Sequence, residues 1–551
     1  MGQDQGRASV QDDADAGRSA TGDDAALNGE PRATTPSSRR SRLGLIVQGG
    51  VTSAWDQAPR VSLPAGTPGR QRLARAIARR RHRPPRLIVA RGQSAEVRVA
   101  VAEVAASDRP TPEARPLHLA GSGTSRRVSP QVRSLVVAGL QDLLAERGVP
   151  PVRRRLALRA VQLLLRRGIS MRDDGSAFVI TGDIPAMWLR DSAAQVAPLL
   201  ALASRVPVST DLVRAVLRTQ VEQVLIDPRA NAFNPDPSGV TIRRDFRPQS
   251  PWVFERKYAV DSLCAPLSLA WRIWRATGSL DHVDEGFQRA ARVIVNLWRH
   301  EQQHDATSYV LLRRIARHGD SLSAGGHGSP VGRTGMTWSG FRPSDDACTY
   351  GYHVPANAFA AETLAQLADL LDLVGDHLLA ADARLLGAEI RQGILTHAVV
   401  DLPEAGRGFA YEVDGLGHAL LMDDANLPSL LSLPYLGFCD RSDPLYRATR
   451  AWVLSPRNPT WAEGRAVSGI GSSHTRPGWP WPLAILVEGL TAADHDELES
   501  SLRRAEATTR RDGLFHESVH ADDPRRFSRR WFSWADMLHL ELVLRSVGIV
   551  V

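Results

Sequence analysis

The chain has 551 residues, 43% of them hydrophobic and 23% charged, the balance of a soluble globular protein with enough length for a large core. Its formal charge of +8 rests on arginine, since Lys257 is the only lysine among 68 basic residues; that bias is compositional and argues against reading the charge as a nucleic-acid footprint. The three cysteines, Cys264, Cys348 and Cys439, are odd in number and far apart, which excludes a disulfide framework and a cysteine zinc site, and no run of 18 apolar residues offers a membrane span.

Residues 1–127 contain one aromatic residue, Trp55, and are dominated by Arg, Ala, Ser, Gly, Thr and Pro. Such a stretch buries too little apolar surface to offset the entropy of ordering, so a disordered extension is expected. Its start, MGQDQGRASVQDDADAG, lacks the apolar segment of a secretory signal, and the expected location is cytoplasmic. Eight arginines without an acid between Arg70 and Arg86 admit a nucleic-acid or anionic-membrane tail, but charge runs are of low specificity and compositional noise is the favoured reading.

From residue 128 the pattern becomes helical. Leu263, Leu267, Ala270 and Trp274 fall on one helix face, as do Leu379, Ala383, Leu386, Ile390 and Ile394. Similar periodicity marks 132–146, 150–166, 191–203, 210–225, 282–300, 356–373, 426–436, 480–490, 495–510 and 534–547. One hairpin is expected over Ile169–Thr181, turning at Asp174-Gly175. About a dozen helices joined by long loops suit an all-α barrel of the α/α type over 128–551, with the loops at one end.

The chemistry lies in those loops. GDIPAMWLRDS (182–192), ERKYAVDS (255–262), TWSGFRPSDD (337–346), GSSHT (471–475), LFHESVH (514–520) and RWFSWAD (530–536) together bring carboxylates, arginine or lysine, histidine and indole. Carboxylates and guanidinium groups bind sugar hydroxyls, and indole rings stack on the apolar face of a sugar. Asp191 and Asp261 also suit helix N-caps. Lys257 departs from an otherwise arginine-only chain, so a compact ammonium is expected to matter there. His516-Glu517-Ser518-Val519-His520 matches the H-E-x-x-H pattern. Gly513 before it and Pro524 after it leave barely one helical turn, so a zinc helix is not expected.

Together GDIPAMWLRDS, ERKYAVDSLC, GMTWSGFRPSDDA, YEVDGLG, MDDANLPSLLSLPYLG, GSSH, HES and FSRRWFSWADM resemble, in order from about residue 130 to 548, glycoside hydrolase family 125. The resemblance implies an (α/α)6 barrel and an exo-acting α-1,6-mannosidase that inverts configuration and needs no metal or cofactor. Its substrate would be a mannose-containing oligosaccharide of the N-glycan type. It further implies Glu517 as general base and an aspartate of the Asp345-Asp346 pair as general acid, with Asp346 preferred. Asp183, Trp188, Arg190, Asp191, Lys257, Asp261, Arg342, His474 and Trp531 become expected mannose ligands. A barrel glycosidase of other linkage or sugar, and a non-catalytic glycan-binding barrel, are the alternatives.

Overall fold

Two kinds of helix alternate along the chain. The computed structural model describes residues 126–313, 319–509 and 512–551, so the expected extension, residues 1–125 of it, lies outside the described residues. The helices are α1 (Pro130–Glu146), α2 (Pro151–Leu163), α3 (Leu189–Val196), α4 (Pro207–Ile226), α5 (Val260–Thr277), α6 (Glu285–Glu301) and α7 (Val354–Leu373). They continue with α8 (His377–His397), the short α9 (Leu433–Leu436), α10 (Pro444–Val453), α11 (Pro482–Leu490), α12 (His495–Glu506) and α13 (Ser533–Ser546).

Every residue of α11 is buried, as is α13 from Ser533 to Leu544. In contrast α8 buries one stripe, with Leu379, Ala383, Leu386, Ile390 and Ile394 in it. A helix buried all round belongs inside, and one with a single apolar stripe belongs in the outer layer. The packing follows that rule: α13 lies against α11 and α3, α3 against α5, α5 against α7, and α7 against α9. Between these inner helices run α2, α4, α6, α8, α10 and α12 as an outer ring. The result is an (α/α)6 barrel.

Four outer helices and four inner ones begin differently, whereas outer α2 and α4 have no side-chain cap and inner α7 is capped by His353 Nδ1, which accepts from Ala356 N–H. Outer α6, α8, α10 and α12 start on Asp284, Asp376, Asp443 and Asp494, whose carboxylates accept backbone N–H bonds of the first turn. Inner α3, α5, α11 and α13 follow Trp188, Ala259, Trp481 and Phe532, with no side-chain cap. Asp191 and Asp261 therefore sit inside the first turns of α3 and α5 rather than capping them. The starts of α3, α5, α11 and α13, positive dipole ends, lie next to the motif-bearing loops, and the first N–H groups of α3 and α5 donate to the Asn231 carbonyl and Ser339 Oγ.

The hairpin forms as expected, with Ile169 opposite Val179 and Gly175 at φ 78°. Arg126-Arg127 adds a third strand. Over 426–436 only α9 is helical. Pro428 and Pro434 lack donors, and the Asp423 carboxylate takes the N–H groups of Leu430 and Leu431. The expected helix 191–203 becomes a 3-10 turn at Ala197–Leu202, where Pro198 cannot continue the α pattern.

Candidate active site

Arg190 organises the floor. From the first turn of α3 its Nη1 donates to Asp261 Oδ2 of α5 at 2.7 Å, and its Nη2 lies 3.6 Å from Asp191 and 3.8 Å from Asp345. The guanidinium also sits 5.5 Å from the centre of the Trp534 ring. Thr181 Oγ1 donates to Asp191 Oδ1 at 2.6 Å. Trp188 packs edge-on against Phe254. Among the described residues, Asp191 Oδ2, Asp261 Oδ1, Arg190 Nε and Trp188 Nε1 are buried without a hydrogen-bond partner, and buried polar atoms of that kind call for a polar ligand or water.

The two aspartates lie on a tight turn. Phe341 bridges Ala347, Arg342 N–H donates to the Asp346 carbonyl, and Asp345 N–H donates to the Arg342 carbonyl. The turn requires Asp345 at φ 67°, a left-handed conformation that aspartate tolerates better than most residues. Their surroundings differ. Burial pushes the Asp345 carboxyl up to about 6, and Glu255 adds to the rise against Arg190, Lys257 and His474. For Asp346 burial acts upward too, but His474, through its hydrogen bond and charge, and Ser473 outweigh it and hold the group below the ordinary aspartate value. His474 Nδ1 is 3.0 Å from Asp346 Oδ1, and Ser473 Oγ donates to Oδ2 at 2.7 Å. His474 is correspondingly lifted to about 9: burial opposes its charge, Asp346 more than compensates, and Glu517 and Asp345 add to the lift.

Arg342 faces the protein. Its Nε donates to the fully buried Glu412, and its two terminal nitrogens reach Ser473 and Thr349. Glu412 also accepts from the N–H groups of Thr349 and Tyr350. Lys257 is likewise turned inward, toward Glu255, Asp320 and the Asp345 carbonyl.

Glu517 is held by Ser528 Oγ, which donates to its Oε2 at 3.0 Å, and by Arg529, whose Nη1 lies 3.6 Å from its Oε1. The same Arg529 pairs with Asp183 at 2.7 Å. Asp183 N–H donates to the Trp531 carbonyl. This close approach needs glycine before it: a Cβ on Gly182, at φ 82°, would lie 2.2 Å from that carbonyl oxygen. Trp531 is anchored through Nε1 to Asp536 at 2.9 Å. The H-E-x-x-H segment is not a helix. Val519-His520 is a strand, and His516 is buried, stacked on Phe527, with Nδ1 against the carbonyls of Arg529 and Arg530.

Hydrogen bonds and ion pairs thus link Asp261, Arg190, Asp191, Asp345, Lys257, Asp346, His474 and Arg342. Glu517 and Asp183 are joined through Arg529, and Glu517 acts electrostatically on His474. The sequence reading missed Asn231, Glu255, Ser473, Ser528, Arg529 and Glu412. All of them but Asn231 stand inside the motifs quoted above, but Arg529 is hidden beside another arginine. Asn231 carries no local signal; only the fold brings it to Asp345.

The model of metal-independent α-mannosidases (GH125) matches residues 153–544. The chain is 39% identical over 386 residues to the meiotically up-regulated gene 157 protein of Schizosaccharomyces pombe, an alignment covering 66% of this chain and 76% of that one. A metal-independent α-mannosidase from Streptococcus pneumoniae, solved in a non-productive complex with α-1,6-mannobiose, is 42% identical with a TM-score of 0.73, and the match covers 75% of this chain and 98% of the other. Fold, motif order and both relatives agree: the chain belongs to glycoside hydrolase family 125, the metal-independent α-mannosidases.

Proposed function

We propose that the protein removes terminal α-1,6-linked mannose from oligosaccharides with inversion of configuration, Asp345 acting as general acid and Glu517 as general base. The observation that carries the reading is the unequal environment of the adjacent aspartates. A general acid must hold a proton near working pH, and Asp345, raised to about 6, suits that task. Asp346 is held ionised by His474 and Ser473, so the preference for Asp346 drawn from sequence gives way to Asp345. The linkage rests on the S. pneumoniae relative and its α-1,6-mannobiose complex.

Asp345 gives its proton to the glycosidic oxygen as the bond from that oxygen to C1 breaks. Glu517 takes a proton from a water whose oxygen bonds to C1 from the opposite face. Asp345 ends ionised and Glu517 protonated, and exchange with solvent resets both. Ser528 and Arg529 orient the base, while Arg190, Asp191 and Asp261 supply polar atoms for the mannose hydroxyls.

The test is a panel of α-1,2-, α-1,3- and α-1,6-mannobioses and longer α-1,6 chains, scored for free mannose. Selective release from the non-reducing end of the α-1,6 compounds is expected. Preference for another linkage would move the protein to a barrel mannosidase of different specificity, and binding without release would make it a glycan-binding barrel.

A further inference from the structure

Lys257 is 2% exposed, and its ammonium meets three acceptors. Nζ donates to the Asp345 carbonyl at 2.6 Å and to Asp320 Oδ1 at 3.3 Å, and lies 3.4 Å from Glu255 Oε1. Of the three N–H groups of an ammonium, two donate to Asp345 and Asp320, and the Glu255 carboxylate pairs with the charge. The face of Phe341 lies 5.4 Å from the charge. We infer that Lys257 is a positioning residue, which fixes the left-handed turn bearing the catalytic acid and does not bind the sugar.

The turn needs such a support. A non-glycine residue held at positive φ is strained, and it persists only when its neighbours over-determine it. Asp345 is held at both ends. Lys257 takes its carbonyl, and Asn231 Nδ2 donates to its Oδ1 at 3.0 Å. Asn231 in turn accepts the Lys257 backbone N–H through Oδ1 at 3.0 Å and donates to Glu255. Arg313 Nη2 fixes Glu255 from the other side at 2.8 Å. One Lys257–Asn231 clasp therefore sets both the backbone and the carboxyl of Asp345.

The choice of lysine follows from this geometry. Three acceptors around one nitrogen match a tetrahedral ammonium, whereas a planar guanidinium spreads five donors over a wider fork. Here a chain that otherwise uses only arginine places its one lysine.

The inference rests on Asp345 as general acid, and the experiment separates the two claims. Lys257→Arg and Asp345→Asn are compared with the parent on phenyl α-mannoside, whose leaving group needs protonation, and on 2,4-dinitrophenyl α-mannoside, whose leaving group departs without it. The ratio of kcat/KM between the two substrates within one preparation does not depend on how much of the variant is folded. Lys257→Arg is expected to lose about tenfold or more in kcat on the phenyl substrate, a share of the roughly 100-fold or greater contribution of a general acid. It should lose little on the dinitrophenyl substrate, with KM nearly unchanged. Equal loss on both substrates, no loss on either, or a raised KM with kcat kept would overturn the positioning role. If Asp345→Asn itself loses equally on both, the acid assignment fails, whatever Lys257→Arg does.

Discussion

Asp345 and Asp346 are consecutive residues with opposite protonation tendencies: burial lifts the first to about 6, and the His474–Ser473 pair holds the second below its ordinary value. Adjacent side chains on a turn point apart, so one turn delivers one aspartate to the Arg190–Asn231 side and the other to the His474 loop.

The pH profile should report this division. With a substrate that needs protonation, kcat/KM is expected to fall as pH rises through about 6, as Asp345 loses its proton. Asp345→Asn should abolish that limb and lower the rate by roughly 100-fold or more. In Asp346→Asn the limb near 6 should persist. If Asp346→Asn removes the limb and Asp345→Asn leaves it, the two roles are exchanged.

Part of this was readable in advance and part was not. The stripe Leu379–Ile394 marked α8 correctly because an outer helix alternates apolar and polar faces. Helix α10 was missed, although Asp443-Pro444 is a strong start signal and Tyr446, Thr449, Trp452 and Val453 are buried at helical spacing. Acid-bearing loops showed where the chemistry lies, since one residue type pattern recurs before inner helices. The separation of Asp345 from Asp346 was not readable, because it depends on Asn231, Glu255 and Ser473, brought from three distant segments. Lys257 stood out by composition, but only the fold shows its ammonium turned to the Asp345 carbonyl.

Arg529 should prove to be a support for the base. It bridges Glu517 and Asp183, so Arg529→Ala should lower kcat on the order of tenfold, less than the roughly 100-fold or greater loss expected of Glu517→Gln. Steady-state kinetics on one α-mannoside decide it. A rise in KM alone would place Arg529 in sugar binding instead.

The His474–Asp346 pair has a pH signature in stability. His474 is raised from 6.5 to about 9 in the folded protein, so its contribution is fully present below 6.5 and is lost as pH rises through about 9. Asp346, lowered from 3.8, contributes above that value and loses its contribution as pH falls through its lower folded value. The Tm difference between parent and His474→Gln should therefore be largest between about 4 and 6.5 and shrink toward 9. Thermal melts that show a constant difference across this window would contradict the ion pair.

Gly182→Ala should cost at least about 2 kcal/mol, because a side chain at φ 82° is strained and its Cβ would collide with the Trp531 carbonyl. Denaturant unfolding measures the loss. A substitution within about 0.5 kcal/mol of the parent would mean that the segment around Trp531 shifts freely.

The central claim is single displacement at the anomeric carbon by a water that Glu517 activates. Proton NMR of the first turnovers on an α-1,6-mannoside tests it directly. β-Mannose should appear first, the α-anomer growing in only by mutarotation. If α-mannose is the first product, configuration is retained, and Glu517 would have to be the nucleophile rather than the base.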